Sequence, residues 1–113
     1  MLEVNNDFLN EVLVIRLSGR LDGITSKTFT EKTNASEYAS SPHVVIDCSD
    51  LNYISSEGLR VMLMAAKKAK SLGGALTLAS VNSSVNEVMV ISGFGALLGV
   101  HANAEDAIKA IKP

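Results

Sequence analysis

Apolar positions along the chain recur with two periods, and these divide it into strands and helices. Residues 2–5 alternate weakly, enough for a short edge strand. Val12-Leu13-Val14-Ile15-Arg16-Leu17 is a clearer strand, with Leu13, Ile15 and Leu17 on one face at period 2. Gly19-Arg20-Leu21-Asp22-Gly23 reads as a break. A helix is expected next, capped by Thr25 or Ser26, carrying Phe29 inward and running to about Tyr38 before Ser40-Ser41-Pro42 ends it.

His43-Val44-Val45-Ile46-Asp47 is a nearly continuous apolar run, as in a central strand covered on both faces. After a polar connection over residues 49–54 comes the strongest helical signal. Leu59, Met62, Leu63, Ala66 and Ala69 form one stripe, and Leu72-Gly73-Gly74 stops it. Ala75–Ala79 is a further strand. A third helix capped by Asn82, Ser83 or Ser84 carries Val85, Val88, Met89 and Ile91, and Gly93 ends it. Leu97–His101 reads as a last short strand. Asn103 caps a terminal helix through Ala107, Ile108 and Ile111, with Glu105 and Asp106 in its first turn, where anions are favoured.

The order ββαβαβαβα predicts an α/β domain with a mixed, mostly parallel sheet of four to five strands and about four helices. The opening pair closes antiparallel, and the later strands join through right-handed crossovers. The 113 residues suit one domain spanning 1–113. With 47% apolar residues but only 4% aromatic and no Trp, the core must be built from Val, Ile, Leu, Met and Ala.

Charge narrows the function classes. The net charge is −2 with both signs interspersed, so no nucleic-acid partner is expected. Lys67-Lys68-Ala69-Lys70 lies at a helix end, where cations complement the dipole. No apolar stretch approaches the roughly 20 residues of a membrane span, so no direct membrane insertion is expected. Glu3 and Asp7 stand where a signal peptide would be basic. A single Cys fits a reducing compartment, and the expected location is cytoplasmic.

Most candidates for catalysis fail on context. Nothing in the sequence places His43 or His101 beside Cys48, and no third orienting group is evident, so no catalytic dyad is expected. One Cys and two separated His residues do not make a metal site. Gly93-Phe94-Gly95-Ala96-Leu97-Leu98-Gly99 places its third glycine one position late for a dinucleotide fingerprint, and it follows a helix. Met62 fits the core stripe of its helix, whereas Met64 lies off it. No cofactor is expected, and the chain does not read as an enzyme.

The informative segment is Ile54-Ser55-Ser56-Glu57-Gly58-Leu59, at the start of the strongest helix. A serine there has two readings. It can cap the helix, accepting a bond from an amide two or three residues on. It can also be a phosphoacceptor, because a helix N-terminus presents free amides and the positive end of the dipole to an anion.

Several segments together resemble the STAS family, which includes the bacterial anti-sigma factor antagonists. Gly19-Arg20-Leu21-Asp22 is similar to the family's Gly-x-Leu-Asp, and Val44-Val45-Ile46-Asp47 followed by Asp50-Leu51 resembles its central strand. Ile54-Ser55-Ser56-Glu57-Gly58-Leu59-Arg60-Val61-Met62-Leu63 resembles the signature around its phosphoacceptor, and Asn103-Ala104-Glu105-Asp106-Ala107 its last helix start. The resemblance covers nearly the whole chain and implies the STAS fold.

It also implies that Ser56, two residues before the glycine, is the acceptor. Many family members carry Asp where this chain has Ser55, which makes Ser55 the alternative acceptor and means that any role of that carboxylate is absent or supplied by Asp22. Asp22, Ser55, Ser56, Glu57 and Gly58 are the implied partner-binding set; Asp47 reads as structural. The implied mechanism is partner switching. The unphosphorylated domain binds an anti-sigma factor that is also an ATP-dependent serine kinase, freeing the sigma factor; phosphorylation dissociates the pair, and a metal-dependent PP2C-type phosphatase restores the binding form. A monomer is expected when free. The alternatives are a STAS regulatory subunit of another signalling or lipid-transport system, and a nucleotide- or anion-binding sensor.

Overall fold

A computed structural model describes residues 1–34 and 40–111. Its elements in chain order are β1 (Leu2–Leu9), β2 (Val12–Leu21), α1 (Ser26–Thr33), β3 (His43–Ile54), α2 (Ser56–Ser71), β4 (Ala75–Ala79), α3 (Ser83–Ser92), α4 (Phe94–Leu98), β5 (Val100–His101) and α5 (Ala104–Ile111). The five strands form one sheet in sequence order. β1 runs antiparallel to β2, and each later neighbour is parallel.

Period-2 alternation sorts the strand residues between two faces. Leu13, Ile15, Leu17, Val44, Ile46, Leu76 and Leu78 point to the larger core, where Phe29, Leu59, Met62, Val85, Met89 and Leu98 of the helices cover them. Val12, Val14, Val45 and Ala79 point the other way and meet Ala107 and Ile108 of α5. The apolar run in β3 is thus covered on both sides, as its pattern required.

Three strand boundaries differ from the pattern. β1 extends to Leu9, because pairing with β2 continues to Leu9↔Val12 through residues 5–9, all exposed except the partly buried Asn6. β2 does not break at Gly19. Glycine takes φ 109° there, and register shifts between Arg16 and Ser18 and between Gly19 and Arg20 let the strand run on to Leu21. β3 does not end at Asp47 but continues to Ile54 alongside it, and Leu51 and Ile54 are buried within the segment that reads as a polar connection. Irregular pairing disguises both strands by breaking their alternation.

The helices show smaller differences. Thr25 precedes α1 but makes no side-chain cap; its hydroxyl donates instead to the Arg20 carbonyl at 2.7 Å. α1 is described to Thr33, and the expected end near Tyr38 lies outside the described residues. Asn82 caps α3 by accepting from the Val85 amide at 3.0 Å, while its Nδ2 donates to the Leu51 carbonyl at 2.6 Å. Ile91 does not join the core and is 87% exposed. Gly93, left-handed at φ 78°, turns α3 into the short α4, which takes Leu97 and Leu98 from the expected last strand and leaves only Val100–His101 extended. Asn103 caps α5 as expected, accepting from the Asp106 amide at 2.9 Å.

Candidate functional site

The register of β2 and β3 builds the site. Leu21 pairs with Ile54 in parallel, so both strands end at one edge of the sheet and deliver Asp22 and Ser55 side by side. The Ser55 amide donates to the Leu21 carbonyl at 3.0 Å and fastens the two strand ends together.

The two adjacent serines divide their work. Ser55 is the N-cap of α2: its backbone is extended, and its Oγ accepts from the Gly58 amide at 3.2 Å. Ser56 is the first residue of the helix and is exposed. Its hydroxyl makes no hydrogen bond among the described residues, and it stands at the positive end of a 16-residue helix. The capping reading therefore belongs to Ser55, which leaves the Ser56 hydroxyl outward and unengaged.

Glu57 follows in the first turn, and Arg60 lies across it. Arg60 Nε donates to Glu57 Oε1 at 2.8 Å, and Nη2 donates to the same oxygen. This bonding holds the Glu57 carboxyl below its ordinary range and raises the Arg60 guanidinium. Gly58 is buried and presents no surface of its own; a Cβ there would stand 2.6 Å from the Leu21 carbonyl oxygen. Its part in the site is to let α2 begin hard against the end of β2.

Asp22 organises the facing loop. Its Oδ1 accepts from the amides of Ile24 and Thr25, both at 3.0 Å, and Thr25 Oγ1, whose proton goes to the Arg20 carbonyl, lies 3.2 Å from it. The Thr25 amide is the main reason its carboxyl lies below the ordinary value; partial burial opposes that, and the Ile24 amide, the Thr25 hydroxyl and the Arg20 charge assist it. No hydrogen bond joins Asp22 to Ser55 or Ser56 among the described residues, so it shapes the loop without orienting either hydroxyl. Asp47 is likewise occupied structurally, accepting from the Ser49 amide at 3.0 Å and lying 3.8 Å from Arg16 Nε.

Residues outside the implied partner-binding set complete the surface. Arg20 lies 4.0 Å from the centroid of the Tyr53 ring and 3.8 Å from Asp22 Oδ2. Ile24 is 86% exposed beside Asp22, and Met64 is half-exposed along α2. Arg60 had a legible signal, four residues after Ser56. Tyr53 did not, since its meeting with Arg20 depends on the bulged register of β2 and β3.

The rejected candidates are accounted for by position. Cys48 is fully buried, and its thiol, pushed up to about 12 by burial and by the nearby Asp47 charge, faces the Ile46 carbonyl at 3.7 Å. Neither His43 nor His101 hydrogen-bonds it among the described residues. Among those residues no group of three or more His, Cys, Asp or Glu could hold a metal ion, and no helix is long and apolar enough to cross a membrane. Lys68 and Lys70 occupy the last turn of α2, and Lys68 Nζ donates to Asn34 Oδ1 at 2.8 Å.

Comparison with known proteins agrees with this geometry. The model of the STAS domain matches residues 3–107. A Bordetella bronchiseptica protein carrying the provisional name anti-sigma factor antagonist BtrV is 32% identical over 111 residues, covering 98% of this chain and 96% of its own. The anti-sigma F factor antagonist of Paenibacillus polymyxa is 28% identical over 108 residues, covering 95% and 92%. Among solved structures, a provisionally named anti-sigma factor antagonist of Thermotoga maritima superposes with a TM-score of 0.88 at 17% identity, covering 97% of this chain and 95% of that one. The anti-sigma factor antagonist SpoIIAA in its unphosphorylated form gives 0.81 at 21% identity, covering 96% and 95%. The phosphorylated form of the Bacillus protein SpoIIAA gives 0.72 at 21%, covering 96% and 98%. The α/β sheet, the order of its elements and these matches agree: the chain belongs to the STAS domain family and is of the anti-sigma factor antagonist type.

Proposed function

We propose that this protein is a cytoplasmic, non-enzymatic switch that binds an anti-sigma factor serine kinase when Ser56 is free and releases it when Ser56 is phosphorylated. The observation that carries this reading is the division between the two serines. Ser55 serves the helix, and Ser56 projects an unengaged hydroxyl from an exposed helix N-terminus. In the forward step the Ser56 oxygen takes the γ-phosphoryl group of ATP, its proton leaves and ADP departs. In the return step a PP2C-type phosphatase hydrolyses the ester to serine and inorganic phosphate. Ser55 is the less suited acceptor, because modification there would remove the cap that the Gly58 amide uses.

The electrostatics suit a switch. The bound form would bury a neutral hydroxyl at the start of α2, next to Glu57. A phosphate brings roughly −1.5 to −2 charges to a face where Asp22 and Glu57 are each already beside an arginine, and a docked partner would have to desolvate that added charge. A loss of about 3 kcal/mol in binding is already more than a hundredfold in affinity. The fold itself tolerates the anion, since the helix dipole favours it at that end.

The test is incubation with ATP, Mg²⁺ and a candidate anti-sigma kinase from the same genome, followed by intact mass and site mapping. One phosphate on Ser56, absent from Ser56→Ala, supports the reading, as does kinase binding by the unmodified monomer alone. A phosphate on Ser55 moves the site. Absence of modification by every such kinase overturns the switch and leaves a constitutive docking subunit.

A further inference from the structure

Arg60 follows Ser56 by four residues on α2, so the two side chains share one face of the helix a turn apart. In the unmodified chain the guanidinium is turned back toward Glu57, with Nε and Nη2 both donating to a single carboxylate oxygen. Nη1 extends the other way and reaches Met64 Sδ at 3.1 Å. The side chain therefore lies along the exposed ridge of α2. Lys27 and Glu31 of α1 face it across the groove between the two helices.

From this arrangement we infer that Arg60 is the counter-ion of a phosphate on Ser56, and that modification draws its guanidinium from Glu57 to the phosphate. The inference rests on the proposed phosphorylation of Ser56. Three features favour the transfer. The phosphate carries nearly twice the charge of a carboxylate and offers three acceptor oxygens, where Glu57 offers one oxygen to two donors. An anion placed four residues before a cation is the favourable order on a helix. The planar guanidinium also forks onto phosphate with two parallel bonds, which a point charge cannot do.

The transfer changes the docking face at three places from one modification. Ser56 gains the phosphate, and Glu57 loses the partner that neutralises it. Met64 also loses the guanidinium that lies against it. Lys27, on the facing helix, is the competing cation and serves as the control.

The experiment places phosphoserine at position 56 by genetic encoding, so no kinase is needed, and follows the second ionisation of the phosphate by ³¹P NMR. Arg60→Ala is expected to raise that pKa by about 0.3 unit, the size of an exposed one-turn ion pair. Arg60→Lys should recover part of the difference, and Lys27→Ala should leave the value where it is. A pKa unchanged in Arg60→Ala, or a larger rise in Lys27→Ala, overturns the assignment. A kinase that fails to modify Ser56 would overturn the proposed function and leave this titration to stand on its own result.

Discussion

Replacing Gly58 with alanine tests the geometry on which the site depends. A Cβ at position 58 would lie 2.6 Å from the Leu21 carbonyl oxygen, 2.9 Å from Ile54 Cγ1 and 3.0 Å from Leu21 Cγ. A carbon meets a carbonyl oxygen comfortably at about 3.3 Å or more, so the first contact is short by about 0.7 Å. The oxygen cannot retreat freely, because it also accepts the Ser55 amide and belongs to the last paired residue of β2. Relief must therefore push the start of α2 away from the sheet and stretch that bond. Overpacking of this kind costs about 1–3 kcal/mol, and the better helix propensity of alanine returns at most about 1 kcal/mol. The expected net loss is about 1 kcal/mol, seen as a lower urea midpoint at unchanged slope and a Tm lower by roughly 5 °C. Gly23→Ala is the control, since nothing lies within 4 Å of its Cβ, and it should change stability by less than about 0.5 kcal/mol. If Gly58→Ala proves as stable as the parent chain, the close approach of α2 to β2 is wrong.

Four further outcomes follow from the same geometry. Ser55→Ala should cost about 1 kcal/mol in urea unfolding, whereas Ser56→Ala should stay within about 0.5 kcal/mol; equal costs would contradict the assignment of the cap. Asn82→Ala removes both the α3 cap and the donor to the Leu51 carbonyl, and should lower stability by about 2 kcal/mol; a neutral result would refute the double role. Cys48 should react with a disulfide reagent only as fast as the chain unfolds, and a rapid stoichiometric burst would show the thiol to be accessible. Its folded pKa is raised from 9.0 to about 12, so the protonated thiol's contribution to stability is complete below pH 9 and is lost as pH rises toward 12. Asp22 has the opposite sign: its carboxyl is depressed in the fold, so its contribution is present above the ordinary carboxylate range and fades as pH falls through the lowered value. Asp22→Asn should flatten that part of the acid unfolding curve, and an unchanged curve would contradict the Asx turn.

Legibility in the sequence followed regularity in the backbone. Val12–Leu17 and the Leu59–Ala69 stripe were readable because a regular ladder and a regular helix impose one period each. Gly19–Leu21 and Ser49–Ile54 were not, because a bulged pair changes which residues face the core, and the signal is shared between strands far apart in the chain. The same irregularity hid the Arg20–Tyr53 contact. Ser55 and Ser56 illustrate another limit. Spacing placed a cap and a candidate acceptor in one tripeptide, but only the direction of the Gly58 amide decides which hydroxyl is engaged. α4 escaped notice because Phe94–Leu98 is a single apolar turn between glycines, equally compatible with a short strand.

The separation of cap from acceptor has a consequence at the level of the cell. Under the proposed switch, charging Ser56 leaves the Ser55 cap and the strand clasp intact, so both forms resist unfolding to a similar degree. Proteolytic quality control, which acts on the unfolded fraction, would then remove the two forms at the same rate. The total pool would stay fixed while its composition varies, and a signal carried as a ratio of two equally long-lived species can be reset at any time without new synthesis.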